Sequence, residues 1–316
     1  MMSEILITGA TGFVGSGVLK CLLSSDTYRR VTVLVRQDNK NWPARVSPRV
    51  IGNLESVVDW LDVLEGISII VHCAARVHVM KDSALNPLEQ YRLVNVVGTL
   101  NLARQAASSG VRRFIFISSI GVNGAETVDR PFNAQDLPMP HSDYALSKYE
   151  AELGLQKIAS ETRMEVVIIR PPLVYGAFAP GNFGTLLSWV SCGIPLPLGG
   201  IQNQRSFVAL ENLVDLIMVC IRHPAAANQI FLISDGEDIS TAELIRRIGV
   251  AIGKPVFLIP IPTSWIQFMA DTLGKGDAAK SLCASLQVDI RKTCQVLGWA
   301  PPATLDQGLK KLVKRI

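Results

Sequence analysis

The sequence predicts an α/β fold, with a doubly wound parallel sheet and a smaller, mainly helical lobe. Short runs rich in Val and Ile alternate with helical segments through the first half of the chain. These runs lack polar alternation, which is typical of strands that are buried on both faces of a parallel sheet. The first run leads into a glycine-rich turn, and Pro and Gly become frequent after residue 170. These observations predict one main sheet domain followed by a second lobe.

The elements of the sheet domain follow from this alternation. Each strand is a short β-branched run, and each helix carries helix-forming residues at helical spacing. The predicted strands are 4–10, 30–36, 48–53, 67–75, 112–119 and 164–171, and the predicted helices are 13–24, 54–64, 85–109 and one that begins near 144. A short strand and helix over 205–221 and a strand over 229–236 come later, and the tail from 237 is mainly helical.

We divide the chain accordingly. Residues 1–172 form the sheet domain, to which a segment of about 205–235 returns. The second lobe comprises 173–204 and 236–316. A length of 316 residues, 48% of them hydrophobic and only 18% charged, leaves enough apolar residues for two such cores.

Charge and cysteine usage exclude several classes of protein. The net charge is only +4 and basic pairs are dispersed, so no nucleic-acid partner is expected. The six cysteines form no C-x-x-C pair and no ligand spacing with the four histidines. We expect no metal, and reduced, mostly buried thiols of a cytoplasmic protein.

No membrane segment is predicted. Glu4 interrupts the start, which rules out an ordinary signal peptide, and no apolar run approaches the roughly 20 residues of a membrane span. The stretch 257–274 is apolar and contains Pro260 and Pro262. We interpret it as a helix packed inside the second lobe rather than an interfacial helix.

The first strand ends in TGATGFVG, which places Gly9, Gly12 and Gly15 between a strand and a helix. Such glycines permit a tight turn, close approach of the backbone to a pyrophosphate, and close packing of helix on sheet. The pattern therefore predicts a dinucleotide site of the Rossmann type. No G-x-x-x-x-G-K-[ST] sequence occurs, which excludes a P-loop.

The end of the second strand bears on the choice of cofactor. Arg36 directly follows this strand, and Asp38 comes two residues later. An Arg there can pair with the 2′-phosphate of NADP, whereas an acidic residue would hydrogen-bond the ribose of NAD. NADP(H) is therefore favoured. The alternative is that Arg36 only stacks on the adenine face, which it can do with either cofactor, so NAD(H) stays the second choice.

Polar residues at the end of the fifth strand and on the next helix predict hydride-transfer chemistry. Ser118 and Ser119 end the fifth strand, and Tyr144 and Lys148 follow on a helix that Ser142 or Asp143 can cap. Tyr144 and Lys148 are four residues apart, so they lie on one helix face. Y-x-x-x-K alone is a weak signal, since a packed Tyr beside a solvated Lys is commoner. The order Ser, Tyr and Lys after the glycine turn favours a catalytic role for the pair instead.

The chemistry of these groups is coherent. Reduction of a ketone needs a proton donor, and the reverse reaction needs a base. A Tyr hydroxyl is a weak base at neutral pH, and the Lys148 ammonium favours its ionised form. Ser119 would hydrogen-bond the substrate oxygen and stabilise its charge.

These motifs make the chain resemble an extended short-chain dehydrogenase/reductase of the NAD-dependent epimerase/dehydratase family, over essentially its whole length. The G-x-x-G-x-x-G spacing and the Tyr–Lys pair are the most specific features. Supporting stretches are HCAA (72–75), NVVGT (95–99), RPPLVYG (170–176), RSFVALENLVD (205–215) and LGWAPPATLDQGL (297–309).

The resemblance implies the residues of the site. Ser119, Tyr144 and Lys148 would be catalytic. The cofactor would contact Gly9, Thr11, Gly12, Phe13, Val14, Gly15, Arg36, Asn53, Leu54, Cys73, Ala74, Ala75, Asn95, Tyr144, Lys148 and Pro171. A UDP-sugar substrate would contact Arg76, His78, Ser119, Asn182 and Arg205, the last two through its diphosphate. The alternatives are that Asn182 is a turn residue, that Arg205 is a surface Arg, and that His78 is a loop His facing water.

The resemblance also bears on the reaction. Dehydratases of the family carry an Asp–Glu pair after the catalytic hydroxyl residue, where this chain has Ile120 and Gly121. Epimerases usually carry Asn at the position of Leu173, and Arg36 also weakens that interpretation. AARVHVM (74–80) and GNFGTLLSWVSCGIPLPLG (181–199) resemble the UDP-4-keto-6-deoxy-N-acetylglucosamine 4-reductases, which form UDP-N-acetylquinovosamine for surface polysaccharides.

Two alternatives stay open. The chain would be a UDP-glucose or UDP-N-acetylglucosamine 4-epimerase, or, more remotely, a non-catalytic NADP-binding regulator, against which the Tyr–Lys pair argues. The family implies a homodimer in which the helix over 85–109 and the Tyr-bearing helix form a four-helix bundle.

Overall fold

The computed structural model describes residues 4–25, 27–28, 30–38, 41–52, 59–77, 86–272, 274 and 276–313. Its strands are β1 (Glu4–Thr8), β2 (Val31–Val35), β3 (Val46–Val50), β4 (Ile67–His72), β5 (Arg113–Ile117), β6 (Glu165–Arg170), β7 (Leu173–Tyr175), β8 (Arg205–Ala209), β9 (Gln229–Leu232) and β10 (Asp238–Ile239). Its α-helices are α1 (Phe13–Leu23), α2 (Leu61–Leu64), α3 (Pro87–Arg92), α4 (Thr99–Ser108), α5 (Asp143–Glu161), α6 (Gly181–Ser191), α7 (Leu210–Arg222), α8 (Thr241–Ile252), α9 (Thr263–Thr272), α10 (Gly276–Cys283), α11 (Arg291–Leu297) and α12 (Leu305–Val313).

Seven parallel strands form the main sheet, in the order β3-β2-β1-β4-β5-β6-β9. The strand order reverses between β1 and β4, which is the switch point where ligands bind in such sheets. Apolar side chains on both faces are buried, which confirms the predicted doubly wound α/β class. Because the strands are parallel, the carboxyl ends of β1, β4 and β5 lie at the same edge of the sheet, and neighbouring strands are about 4.8 Å apart.

The second apolar core lies around a small sheet of β10, β8 and β7. Residues from β7, α6, β8, α8 and α12 contribute to this core, whereas α7 and β9 belong to the core of the main sheet. The domain boundaries at 172, 205 and 235 stay predictions.

Several sequence predictions were wrong in detail. The third strand is Val46–Val50 rather than 48–53, and it contains Pro48. Proline is tolerated there because β3 is an edge strand, bonded only to β2. The fourth strand ends at His72, so Cys73–Ala75 is a loop. Residues 54–58 of the predicted helix 54–64 lie outside the described residues, and its last turn is α2.

The apolar stretch 257–274 includes α9, and this helix is mostly exposed. Ile266 is the one residue of α9 that is buried, whereas Trp265 and Phe268 are 67% and 69% exposed. The prediction that this stretch packs inside the second lobe is therefore wrong.

The prediction that the cysteines are mostly buried is also wrong. All six are free, but only Cys220 is buried, Cys192 is exposed, and the other four are half-buried. Composition indicates that a thiol is reduced, but the depth of each side chain depends on tertiary packing.

The helix predicted over 85–109 is a run of three segments: α3, a π-helical turn over Leu93–Gly98, and α4. Pro87 lies at the first position of α3, and the Asn86 side chain accepts from the Glu89 amide. No α-helix among the described residues is long and apolar enough to cross a membrane.

Candidate active site

The glycine turn is packed too tightly for side chains at two positions. Gly9 has φ of +67°, and a Cβ there would lie 2.8 Å from the Ala74 nitrogen. A Cβ on Gly15 would lie 2.2 Å from the Gly9 carbonyl oxygen, and the Gly12 amide donates to that oxygen at 2.9 Å. The turn therefore lies directly against the loop that follows β4.

The start of α1 offers backbone donors at this turn. Its N-cap residue, Gly12, has no side chain to satisfy the first amides of the helix. Such an N-terminus binds anionic phosphate groups. Thr11 is exposed at the turn, Val14 is half-buried, and Phe13 packs against the second core. The turn thus fits the pyrophosphate of a dinucleotide.

A buried histidine, which the sequence analysis missed, holds the two strand ends together. His72 bonds through Nδ1 to the Thr8 Oγ1 and through Nε2 to the Thr99 Oγ1, both at 2.9 Å. Thr8 Oγ1 also accepts from the Ala74 amide at 3.0 Å. Burial, together with the Lys148 charge, lowers the pKa of His72 to about 3, so the ring is neutral. Its role is to position Cys73–Ala75.

Asn95 supports the same loop from the π-helical turn. Its Oδ1 accepts from the Arg76 amide at 2.8 Å, and its Nδ2 donates to the Arg76 carbonyl and the Ser147 Oγ, both at 3.0 Å. π-Turns are frequent at functional sites. The side-chain amide of Asn95 is thus bonded within the protein, and its predicted contact with the cofactor stays a prediction.

The end of β5 carries the two predicted serines. Ser119 is half-buried, and its Oγ accepts from the Gly121 amide at 3.1 Å. A Cβ placed on Gly121 would lie 3.3 Å from both this Oγ and the Ala145 Cβ. Gly121, which donates to Ser119, therefore lies against the first turn of α5, the turn that carries Tyr144.

Helix α5 begins as the sequence predicts. Ser142 is the N-cap, and its Oγ accepts from the Ala145 amide at 3.2 Å. Lys148, one turn later, is buried, and its Nζ donates to the Ile117 carbonyl oxygen at 2.9 Å. The Nζ lies 4.5 Å from the centre of the Phe116 ring and 5.9 Å from that of Tyr144. These contacts tie α5 to the end of β5.

Burial shifts the pKa values of Lys148 and Tyr144 in the directions that favour their neutral forms. It lowers the pKa of Lys148 to about 8, an effect that Cys73 and Glu152 partly offset. It raises the pKa of Tyr144 well above its usual value, and the neighbouring Tyr91 adds to this. The two aromatic rings meet edge to face at 6.1 Å. In this environment the phenol of Tyr144 is protonated at neutral pH and can donate a proton.

Behind these residues lies a buried polar network. Arg170, at the end of β6, bonds to Glu152 at 2.9 Å and 2.5 Å and to the Asn123 Oδ1 at 2.9 Å. Ser118 Oγ donates to the Glu152 Oε1 at 2.5 Å. Glu152 lies one turn after Lys148, so the network connects α5, β5 and β6 at the level of the site. Sequence spacing did not predict it.

The remaining predicted cofactor residues lie around this edge. Arg36 is exposed directly after β2, and Asp38 accepts from the Trp42 indole nitrogen at 3.1 Å. Desolvation raises the pKa of the half-buried Cys73 thiol to about 12, so the thiol is protonated at neutral pH. The Pro171 carbonyl accepts from the Ile120 amide at 3.0 Å. The predicted residues Asn53, Leu54 and His78 lie outside the described residues.

The predicted substrate residues lie in two regions of the structure. The Arg76 guanidinium lies 5.8 Å from the centre of the Tyr91 ring, beside Tyr144. Arg205 begins β8, and its Nη1 donates to the carbonyls of Ser281 at 2.5 Å and Ala284 at 2.9 Å. Asn182 is exposed at the start of α6. No contact joins Asn182 to Arg205 among the described residues.

Comparison with known proteins identifies the family of this chain. The model of the NAD dependent epimerase/dehydratase family matches residues 5–234. The chain is 47% identical over 313 residues to a protein of Vibrio cholerae named UDP-glucose 4-epimerase, covering 98% of this chain and 94% of that one. It is 26% identical over 328 residues to an Escherichia coli O157:H7 protein, N-acetyl-alpha-D-glucosaminyl-diphospho-ditrans,octacis-undecaprenol 4-epimerase, covering 99% and 95%.

A solved structure shows the same fold. UDP-glucuronic acid 4-epimerase from Bacillus cereus, in complex with NAD, superposes with a TM-score of 0.79 at 20% identity, over 99% of this chain and 98% of that one. The strand order, the glycine turn and the matched family model lead to one conclusion. This chain belongs to the NAD dependent epimerase/dehydratase family.

Proposed function

We propose that this protein catalyses NAD(P)-dependent oxidoreduction at carbon 4 of a UDP-sugar, and that its net reaction is reduction of a UDP-4-keto-6-deoxy-N-acetylhexosamine. The observation that carries the proposal is the position of Lys148. Its Nζ is tied to Ile117 at the end of β5, on the helix face that also carries Tyr144. This position supports a proton donor and a cation at the ligand-binding edge of the sheet.

The residues fit a dinucleotide. Gly9 and Gly15 admit no side chain, and the uncapped start of α1 suits a pyrophosphate. A bound nicotinamide cofactor would supply or accept hydride, and Lys148 would hold its ribose. Arg36, exposed at the end of β2, would bind the 2′-phosphate of NADP(H), which supports NADP(H) over NAD(H). The relative solved with NAD keeps NAD(H) as the alternative.

Three side chains would act on the substrate. Tyr144 donates the proton that the oxygen at carbon 4 requires, and Ser119 hydrogen-bonds that oxygen as charge develops. The Ser119 Oγ accepts from the Gly121 amide, so its own hydrogen is directed elsewhere and can serve the substrate. Lys148 stabilises the phenolate that remains after proton transfer.

Arg205 is the proposed diphosphate residue. Its Nη1 donates to the carbonyls of Ser281 and Ala284, and these two hydrogen bonds orient the guanidinium. An oriented guanidinium suits a pyrophosphate better than a mobile one. Arg76, Asn182 and His78 are proposed to contact the rest of the UDP-sugar.

The second candidate function is 4-epimerisation, which the name of the 47% identical relative favours. Two residues favour reduction instead. Leu173 replaces the usual Asn of epimerases, and Arg36 suits NADPH. Ile120 and Gly121, which stand where dehydratases carry an Asp–Glu pair, argue only against dehydration. We further propose a cytoplasmic homodimer built on the helical run over 85–109 and on α5, where Val97 of the π-helical turn and Leu153 of α5 are 46% and 48% exposed.

The stoichiometry of the cofactor distinguishes these functions. The purified protein is offered UDP-4-keto-6-deoxy-N-acetylglucosamine and UDP-galactose in parallel, each with NADPH and with NADH. A reductase oxidises one nicotinamide for each product formed from the keto sugar. Interconversion of UDP-galactose and UDP-glucose without net oxidation would establish the epimerase, and no reaction in any arm would refute both proposals.

A further inference from the structure

His141 is a polar side chain beside the site that the proposed reaction does not use. It comes directly before Ser142, the N-cap of α5, and three residues before Tyr144. Its Nδ1 lies 3.2 Å from the Gly121 carbonyl oxygen, and the side chain is exposed. An imidazole therefore stands at the start of the helix that carries the proposed proton donor.

The chain reaches this place by a loop that leaves the end of β5 and returns to it. The Met139 amide donates to the Val122 carbonyl oxygen at 2.9 Å, which closes the loop of residues 123–138. This bond brings the residues on either side of the loop together. His141 is therefore held beside the turn that follows Ser119, although the two residues are distant in sequence.

Gly121 is the point where the imidazole, the serine and the helix meet. A Cβ placed on Gly121 would lie 3.0 Å from the His141 Cε1 and 3.3 Å from the Ser119 Oγ. It would also lie 3.3 Å from the Ala145 Cβ of α5. The His141 Cε1 and the Ser119 Oγ are therefore no farther apart than the sum of their two distances, 6.3 Å. One hexose ring can contact both side chains across such a gap.

The contact with Gly121 fixes which ring nitrogen of His141 carries a hydrogen. A carbonyl oxygen only accepts, so Nδ1 is the donor in this bond. Nε2 is then an acceptor in the neutral ring and a donor in the protonated ring. No side chain or carbonyl of the described residues bonds this Nε2. The second nitrogen of an oriented ring is therefore available to a ligand.

The loop that leads to His141 is also fixed beside the proposed diphosphate residue. The Thr127 amide donates to the Ser285 carbonyl oxygen at 2.9 Å. The carbonyl of the preceding residue, Ala284, accepts from the Arg205 Nη1 at 2.9 Å. Two consecutive residues of one segment thus contact the loop and the guanidinium. The loop therefore lies on the side where the UDP-sugar is proposed to bind.

We infer that His141 is a further substrate-contacting residue, whose Nε2 hydrogen-bonds the hydroxyl at carbon 3 of the sugar. Ser119 is proposed to contact the oxygen at carbon 4, and carbons 3 and 5 are its neighbours on the ring. Carbon 5 of a 6-deoxy sugar carries a methyl group, so the polar partner is the hydroxyl at carbon 3. The inference rests on the proposed function, because it takes a UDP-sugar as the ligand and Ser119 as the group at carbon 4.

The test follows the imidazole NMR signals of histidine-labelled protein, in complex with NADPH and, in parallel, with NADH. The ligands are UDP and UDP-N-acetylglucosamine, which has a hydroxyl at carbon 4 and so cannot be reduced there. The His141 signal, identified by its loss in His141→Ala, should shift with UDP-N-acetylglucosamine and stay in place with UDP. The His223 signal should shift with neither, because the His223 carbonyl bonds Arg113 at the amino end of β5, the opposite edge of the sheet.

Calorimetry measures the matching affinities. Loss of one hydrogen bond in His141→Ala should weaken the binding of UDP-N-acetylglucosamine about three- to tenfold and leave the binding of UDP unchanged. The matched control is His223→Ala, which should bind both ligands as the unchanged chain does.

Three results would overturn the inference. UDP-N-acetylglucosamine would leave the His141 signal in place, UDP alone would shift it equally, or His141→Ala would lose the same affinity for both ligands. Failure of the proposed reaction gives a different result. A His141 signal that shifts only with the sugar nucleotide, in a protein that turns over neither the keto sugar nor UDP-galactose, would refute the reaction and support the contact. Turnover of the keto sugar by a protein whose His141 signal stays in place would do the reverse.

Discussion

The ammonium of Lys148 donates a hydrogen bond to the carbonyl oxygen of Ile117, across 2.9 Å. This contact joins helix α5 to the carboxyl end of β5. It also leaves a charged group in a buried place, where the charge is partly desolvated. The behaviour of Lys148 with pH follows from this position.

The first prediction concerns pH. The pKa of Lys148 is lowered to about 8, so the free protein loses the ammonium as the pH rises above that value. The quantity kcat/KM reports ionisations of the free enzyme, and it should fall above about pH 8 for reduction of the keto sugar. Lys148→Arg carries a charge that does not titrate here. Its residual activity should lack this fall, and a fall of the same shape in Lys148→Met would contradict the assignment.

The second prediction concerns the glycine turn. Gly15→Ala places a methyl group 2.2 Å from the Gly9 carbonyl oxygen, so the turn must open. We expect the affinity for the dinucleotide to fall by about tenfold or more, as measured by calorimetry. Gly17→Ala, on the same helix, meets only the side chains of Val214 and Leu210, which can move. Equal loss of affinity in both variants would show that the contact of Gly15 with Gly9 is irrelevant to binding.

The third prediction concerns the choice of cofactor. If Arg36 pairs with a 2′-phosphate, Arg36→Ala should weaken NADPH by about tenfold and leave NADH nearly unchanged. The difference should shrink at high salt because the pair is exposed. Exposed Arg104 on α4 provides the control, Arg104→Ala. An equal change for the two cofactors would assign Arg36 to adenine stacking.

The fourth prediction concerns the buried ion pair of Glu152 and Arg170, whose side chains are 1% and 2% exposed. Removing either partner alone leaves an uncompensated charge, so Arg170→Met should lower the free energy of unfolding by about 3–5 kcal/mol. The double variant Glu152→Leu/Arg170→Met should be less destabilised than the sum of the single variants. Urea denaturation of Arg170→Met, Glu152→Leu and the double variant measures the three free energies of unfolding.

A surface pair provides the control for that experiment. Lys157 and Glu161 lie one turn apart on α5, with side chains that are 74% and 58% exposed. Lys157→Met should change the free energy of unfolding by less than about 1 kcal/mol. Strict additivity of the Glu152 and Arg170 variants would show that these two residues do not act as a pair.

Much of this site could be predicted from local patterns. The glycine turn, the Ser142 cap and the i, i+4 pair of Tyr144 and Lys148 depend on residues that are close in sequence. Backbone geometry alone places such residues relative to one another. For the same reason the apolar runs correctly identified the central strands.

The supporting contacts could not be predicted in that way. Asn95 bonds to Arg76 from a π-turn, and helical periodicity does not distinguish a π-turn from an α-helix. Glu152 meets Arg170 only because α5 packs beside β6. The exposure of α9 was missed because an apolar helix face looks the same in sequence whether protein or solvent lies against it.

The most direct test of the central claim is the turnover of Tyr144→Phe. This variant removes one hydroxyl and keeps the ring that meets Tyr91. With the keto sugar and reduced cofactor at saturation, kcat should fall by at least about 100-fold, while cofactor affinity stays unchanged. Tyr149→Phe, the same substitution five residues later on α5, should keep full turnover. Full turnover in Tyr144→Phe would contradict the account.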